Sequence, residues 1–565
     1  MNGADMLIKG LQERGVDFIS LLCGNGTEAI INSAHEAGLR MVDVRNEQAG
    51  SYLAEAYGKL TRQIGVCVVS SAIAHINAMA GMMNAWFDGA PFLLITGHSE
   101  SHTMRRGGFQ DCDHVALSAP LCKYTELVTD PQRIPQALHE AIAAATSGRP
   151  GPVHLTIPRD ALEGAFAEGP NTPQACKAGG VSGPGPDAGD RAAGIRPLRG
   201  AINRAAATSE GVAEAAALIA QAEKPLIVAG SGVFYADGGA ALQAFARRVG
   251  APIVTPIWER GVINDPSDLF LGVIGGASGE PDLQPRADLM LIAGAAVDYR
   301  TRYLDRPPLR ADLKVIRIDV DPGQLHQAVE PDVALLGDPA TVFAQLTAAH
   351  TGQPHEAWLA ETRQLAADFY APWRAEPAGS PCGMTGHHLA AALRPCFTDD
   401  TALVLDGGNI GQWAHKVLLA DRYPERLLTC GASGVIGMGV PGAMAAKLAW
   451  PGRRVLLITG DGSLGFCLPE FHSAARHGLP FVAVVANDEA WGIVVCGQRK
   501  SGRPCAASQL GQLDWVRAVE GLGGRGVHVQ TPAEITAAVE EGFASGQPTI
   551  VEVPLQIMGA DECRL

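Results

Sequence analysis

Residues 455–492 read VLLITGDGSLGFCLPEFHSAARHGLPFVAVVANDEAWG. Two short runs rich in Val, Ile and Leu, VLLITG and FVAVVAN, flank a stretch with helical spacing, LPEFHSAARHG. Apolar runs of this length bounded by Gly, Asn and Asp are strands, and a strand, helix, strand succession requires a parallel pairing with the helix packed on the sheet. Ligands of such sheets bind beyond the carboxyl ends of the strands. Asp461 and Asp488, 27 positions apart, stand at those two ends.

The same rhythm extends over the chain. DFISLL, MVDVRN, VCVVSS, PFLLITG and VHLTIP are strands spaced by Ala-rich helices in residues 1–168. Residues 169–208, rich in Gly, Pro and Ala without apolar periodicity, read as a linker. About four strands, PLIVAG, APIVTPI, ADLMLIAGA and LKVIRIDVDP, fill a second unit at 209–350, and a polar helix and loop occupy 351–382. A third unit at 383–565 holds ALVLDGG, RRVLLITGDG, PFVAVVAND and PTIVEVP. The expected fold is α/β, with three consecutive doubly wound parallel-sheet domains.

Composition narrows the function. The 565 residues carry 59 acidic against 44 basic side chains, a net charge of −15 with no dense Lys/Arg run, which argues against nucleic acid as the main partner. No apolar run approaches the roughly 18 to 20 residues that span a membrane, and the first 22 residues lack the uninterrupted apolar core of a signal peptide. Twelve scattered cysteines without CxxC or zinc spacing read as free thiols of a reducing compartment, so a cytoplasmic protein is expected.

Two carboxylates at neighbouring strand ends admit two readings. They cap helices and turns, or they share a hard cation such as Mg²⁺ or Ca²⁺, which relieves their repulsion. Magnesium completes its shell with water and phosphate oxygens, so a diphosphate-bearing cofactor accompanies the second reading.

GDGSLGFCLPEF…VVANDEAWG resembles the cofactor motif of thiamine-diphosphate-dependent enzymes, which opens with GDG and closes about 30 residues later in an Asn-rich turn. The resemblance implies Asp461, Asp488 and the main-chain carbonyl of Ala490 as metal ligands, with Asp488 in place of the family's Asn, and Gly462 and Ser463 beside the diphosphate. DGGNIGQWAH, 406–415, resembles the family's second diphosphate contact through Asn409 and the Ile410 amide. GASGVIGMGVPGAMAAKLA, 431–449, resembles the segment that bends the cofactor, with Ile436 as the wedge under its rings and the Gly434 carbonyl accepting from the 4′-amino group. In VDVRNEQAGSYLAEAYGKLTR, Glu47 resembles the glutamate that bonds N1′ of the aminopyrimidine; Asn46 replaces the usual His.

These four motifs stand in the family's order over nearly the whole chain. They imply pyrimidine-binding, central Rossmann-like and diphosphate-binding domains, as in acetolactate synthase, benzaldehyde lyase and benzoylformate decarboxylase. The implied reaction forms or cleaves a C–C bond adjacent to a carbonyl through a C2 ylide and an enamine, on a 2-oxo acid, aldehyde or acyloin. The family pairs the glutamate and the diphosphate site across two subunits, so a homodimer is the minimum unit and a homotetramer is common.

For the pocket, Gln110 in GGFQDCDHVAL matches a polar residue of acetolactate synthase and benzaldehyde lyase, and Asn25 and Glu28 in CGNGTEAI fall on the loop lining the same cavity. Relatives carry Ser-Gly-Pro-Gly where this chain has Ser71-Ala72-Ile73-Ala74, followed by His75, which either relays a proton or is a hydrogen-bonded structural histidine. Trp491, Ile493 and Val494 are expected around an acyl group. GSG at 230–232 lacks full dinucleotide spacing, so FAD is not expected. The alternatives are a 2-oxo acid decarboxylase, a cofactor-binding relative without turnover and a flavin-dependent oxidase of the same fold.

Overall fold

A computed structural model describes residues 1–167, 204–377 and 383–564. The linker expected at 169–208 therefore lies almost wholly outside the described residues, as does the end of the 351–382 segment. That segment begins with the helix Glu356–Arg374.

Three six-stranded parallel sheets follow one another in the chain. The first contains β1 (Phe18–Leu21), β2 (Arg40–Asp43), β3 (Gly65–Val69), β4 (Phe92–His98), β5 (Tyr124–Leu127) and β6 (Pro152–Pro158). The second contains β7 (Pro225–Ala229), β8 (Ile253–Pro256), β9 (Phe270–Ile274), β10 (Leu289–Ala293), β11 (Lys314–Asp319) and β12 (Val333–Leu336). The third contains β13 (Thr401–Leu405), β14 (Leu427–Thr429), β15 (Arg454–Gly460), β16 (Val482–Asn487), β17 (Arg525–His528) and β18 (Thr549–Pro554).

The first and third sheets share one topology, β2-β1-β3-β4-β6-β5 and β14-β13-β15-β16-β18-β17, while the second runs β12-β11-β10-β7-β8-β9, the doubly wound dinucleotide-fold order. The second sheet has six strands where the sequence suggests about four. Its extra strands, β9 and β12, lie at the sheet's edges, as do β5, β14 and β17, which the apolar runs also miss. β12 (VALL) is apolar but only 4 residues long and alternates buried and exposed positions, whereas β9 (FLGVI) is buried throughout.

Chain order reverses between β1 and β3 in the first sheet and between β13 and β15 in the third, and side chains converge beyond such switch points. One continuous apolar core joins the second and third sheets to Tyr52, Leu53 and Leu60 of the first unit, so the three units pack as neighbours rather than as beads.

Candidate active site

In the third sheet, Gly460 of β15 pairs with Ala486 of β16, and Leu405 of β13 pairs with Ile458 of β15. Three adjacent strands thus end level and deliver Asp406, Asp461 and Asp488. No loop separates β15 from the helix Asp461–Cys467, so Asp461 opens that helix directly. Burial lifts its carboxyl to about 6, against backbone amides that include those of Asp488 and Ala490. Burial lifts Asp488 further, to about 7, and the charge of Asp461 adds to it. The approach at Asp488 is close on its other side as well, since a Cβ on Gly492 would lie 2.2 Å from Asp488 Oδ2.

Asp406 is a residue that motif reading passes over. Fully buried, it accepts hydrogen bonds from the amides of Gly407, Gly437 and Gly439 and from Thr459 Oγ1. Burial raises its carboxyl to about 6. It ties the segment after Ile436 to the end of β13, and a Cβ on Gly407 would lie 2.7 Å from Ile436 Cγ2. Its signal in the sequence is an Asp-Gly-Gly directly after a strand. Asn409 and Ile410 open the helix Asn409–Val417, and the Asn409 side-chain amide donates to Met558 O at 2.8 Å. Ser463 donates its hydroxyl to Gly407 O at 3.0 Å, and Gly462 packs under the Trp491 ring. Ile493 and Val494 are exposed beyond Trp491, on the helix Gly492–Lys500.

In the first sheet, Asn46 caps the helix Glu47–Thr61 by accepting from the Gln48 amide, which leaves Glu47 at its first position. Asn77 donates to Glu47 Oε2 at 3.0 Å. Among the described residues no hydrogen bond or ion pair joins Glu47 to Asp461 or Asp488. Asn25 and Ser70–Ser71 follow β1 and β3 at the switch point. Asn25 donates to Ser71 Oγ and Ser99 Oγ, and Gln110 Oε1 accepts from Ser70 Oγ at 3.3 Å and Ser71 Oγ at 3.1 Å. Gln110 and Asn25 therefore share one polar wall. Glu28 opens the helix Glu28–Glu36 on the exposed side of the same loop.

Of the two readings of His75, the hydrogen-bonded structural histidine describes its surroundings. It is fully buried, with Nδ1 2.9 Å from Thr96 Oγ1 and Nε2 3.0 Å from Ser118 Oγ. Burial lowers its imidazole to about 3, with His114 adding to the shift, so it stays neutral across the physiological range. Gly230 and Gly232 of the GSG run sit against the backbone of Gly294 and Ala295, and the amide and hydroxyl of Ser231 both donate to Glu259.

Three domain families match the chain in order: the N-terminal TPP binding domain of thiamine pyrophosphate enzymes at residues 1–117, their central domain at 212–346 and their C-terminal TPP binding domain at 406–553. The chain belongs to the thiamine pyrophosphate enzymes. Its relatives include the acetolactate synthase large subunit of Parasynechococcus marenigrum, 29% identical over 98% of this chain and 87% of the relative. Isozyme 1 of the same subunit in Escherichia coli is 26% identical over 98% and 93%. The 2-hydroxyacyl-CoA lyase of Arabidopsis thaliana is 26% identical over 100% and 97%. Thiamine pyrophosphate is the cofactor, and the reaction forms or cleaves a C–C bond next to a carbonyl.

The geometry fits such a cofactor. Two partly desolvated carboxylates at neighbouring strand ends are oxygen donors of the kind that would suit a hard cation bearing phosphate oxygens. Cβ atoms at Gly408 and Gly434 would meet nothing within 4 Å, so open space faces both turns. Among the described residues no helix is long and apolar enough to cross a membrane.

Proposed function

We propose that this thiamine pyrophosphate enzyme joins or cleaves acyloins, acting on a small 2-oxo acid, aldehyde or 2-hydroxyacyl compound. Thiamine diphosphate, when bound, supplies the carbon nucleophile and the electron sink for the C–C bond. Asp461, Asp488 and the Ala490 carbonyl would hold Mg²⁺, and Asn409, the Ile410 amide, Gly462 and Ser463 would hold the diphosphate. Glu47 would hold a proton toward N1′ of the aminopyrimidine. The Gly434 carbonyl would accept from the 4′-amino group, and Ile436 would support the rings. Trp491, Ile493 and Val494 form the apolar side of the acyl pocket.

The observation that carries the choice of reaction is the wall of Asn25, Ser70, Ser71 and Gln110. Its amides and hydroxyls are neutral, so they orient a carbonyl or hydroxyl oxygen without delivering a proton near pH 7. Such a wall suits addition to a second carbonyl, or the reverse cleavage, better than protonation of a lone aldehyde product. Both kinds of relative carry names of this chemistry, acetolactate synthase and 2-hydroxyacyl-CoA lyase. The test is product analysis by mass spectrometry with pyruvate alone, pyruvate plus an acceptor aldehyde, and a 2-hydroxyacyl-CoA. Acyloin formation or 2-hydroxyacyl-CoA cleavage is expected; acetaldehyde and CO₂ as the sole products from pyruvate, with or without the acceptor aldehyde, together with no turnover of the 2-hydroxyacyl-CoA, would establish a decarboxylase instead.

The functional unit is a homodimer, which can pair further into a tetramer. The helix Ile73–Asp88 leaves Ile73, Ile76, Met83 and Phe87 exposed on one face, at 64%, 47%, 39% and 49%. A bare apolar stripe of this kind marks an interface. A second copy is its occupant, because Asn77, which holds Glu47, lies on the same stretch, so the covering subunit stands beside the Glu47 carboxylate. The ten cysteines among the described residues are all unpaired, which supports a reducing, cytoplasmic setting.

A further inference from the structure

The helices Glu47–Thr61 and Ile73–Asp88 are joined by polar contacts at successive turns. Asn77 donates to Glu47, the Gly81 amide to Ser51 Oγ at 3.2 Å, Asn84 Nδ2 to Glu55 Oε1 at 2.7 Å, and Lys59 Nζ to Asp88 Oδ2 at 2.6 Å. The series starts at Glu47, half-buried, and ends deep in the protein, where Glu55, Lys59 and Asn84 are at most 1% exposed. Burying the ionisable groups of Glu55, Lys59 and Asp88 is costly unless each is matched, so an arrangement of this kind needs a reason beyond packing.

The far end of the series leaves the first domain. Asp88 Oδ1 accepts the amide of Ala432 at 2.7 Å, Asn84 Oδ1 accepts the hydroxyl of Ser433 at 2.6 Å, and Lys59 Nζ donates to Thr429 O at 3.3 Å. Residues 431–434 form a tight turn closed by the Gly434 amide donating to Gly431 O at 3.0 Å. Both central residues of that turn are thus held from the first domain. The fit is close: Gly431 has φ +87°, and a Cβ there would lie 2.1 Å from Asp88 Oδ2. The held turn leads directly into Gly434 and Ile436.

We propose that Asn84 and Asp88 are positioning residues, which fix the turn 431–434 and so set the Gly434 carbonyl and Ile436 against the aminopyrimidine; this rests on the cofactor-facing role proposed above for Gly434 and Ile436. The first domain then acts at both ends of one helix pair. Its start presents Glu47, and its end fixes the cofactor segment of the third domain in the same chain.

The test uses the full-length protein with Ser433→Ala, Asn84→Ala, the double variant and the hydroxyl-retaining Ser433→Thr. Three quantities are measured: backbone amide exchange over 431–437 without cofactor, the dissociation constant of thiamine diphosphate with Mg²⁺, and exchange of the cofactor's C2 proton followed by NMR. The alanine variants are expected to speed amide exchange at 431–437 and to slow C2 exchange about tenfold, the scale of one hydrogen bond. The double variant should be no slower than Asn84→Ala, and Ser433→Thr should recover the wild-type rate. Faster amide exchange with wild-type C2 exchange and affinity would overturn the positioning role and leave an interdomain tether. Wild-type protein that neither binds thiamine diphosphate nor exchanges its C2 proton would instead sink the cofactor-facing reading, with the amide data still reporting whether the turn is anchored.

Discussion

Asn77 Nδ2 lies 3.0 Å from Glu47 Oε2 and holds the carboxylate at the start of its helix, on the flank of an uncovered apolar stripe. Glu47→Gln retains the shape and the contact with Asn77 but cannot exchange a proton with a ring nitrogen. C2-proton exchange of bound thiamine diphosphate is expected to fall by about 10² to 10⁴, with the dissociation constant changing only a few-fold. Near-normal exchange would remove Glu47 from its assigned role.

The stripe itself makes a prediction about assembly. Met83→Glu with Phe87→Glu places two charges on a face that a second copy covers, and neither side chain is needed to fill the core of its own chain. Light scattering should show a shift from dimer or tetramer to monomer, with far-ultraviolet circular dichroism unchanged. An oligomer of wild-type size would show that the second copy binds elsewhere.

Asp461 and Asp488 disfavour each other's ionised form, and a divalent cation between them removes that cost. Asp461→Ala is expected to weaken Mg²⁺-dependent cofactor binding by at least about tenfold, the factor carried by roughly 1.4 kcal/mol. Asp488→Asn keeps an oxygen ligand and removes the repulsion, so the protein without metal should melt at a higher temperature and gain less from Mg²⁺. Calorimetric titration and thermal melts measure both; equal Mg²⁺ stabilisation in all three proteins would refute the shared cation.

Gly407→Ala tests the wedge. Its Cβ would press on Ile436 Cγ2 and the Val435 carbonyl, each at 2.7 Å. Overpacking of this kind costs about 1 to 3 kcal/mol, and the displaced Ile436 should lower turnover more than cofactor affinity. Steady-state kinetics beside a cofactor titration separates the two, and wild-type turnover would show that Ile436 has room to move.

The buried histidines set a pH dependence. Burial holds His75 at about 3 and His114 at about 4, and holds His154 well below the ordinary value, while unfolded imidazoles titrate near 6.5. Below that pH the unfolded chain binds protons that the native chain does not, so their contribution is intact above about 6.5 and is lost as the pH falls. His75→Gln removes one of these groups. Its stability deficit against wild type in urea should shrink between pH 7.5 and pH 5; a constant deficit would contradict the assignment.

Much of this was legible in the sequence. The buried strands β1, β3, β4, β6, β7, β8, β10, β11, β13, β15, β16 and β18 all coincide with apolar runs, because a strand covered on both faces must be apolar throughout. The strands the runs miss, β5, β9, β12, β14 and β17, are all edge strands. Asp461 and Asp488 were visible as acids at strand ends, because the strand itself fixes where its last residue points. His75 was ambiguous, since nothing local distinguishes a pocket histidine from one whose two nitrogens are taken by Thr96 and Ser118.

The sequence by itself determined the three parallel sheets, the acids at the strand ends and the family motif, since each depends on residues close together in the chain. Only the tertiary structure decided that Asp406 organises the segment after Ile436, that Gln110 and Asn25 share one wall, and that Asp88 reaches across to Ala432. Those relationships join residues 31 to 344 positions apart. No periodicity or local spacing encodes them; they exist because strand order and domain packing bring those loops to the same place.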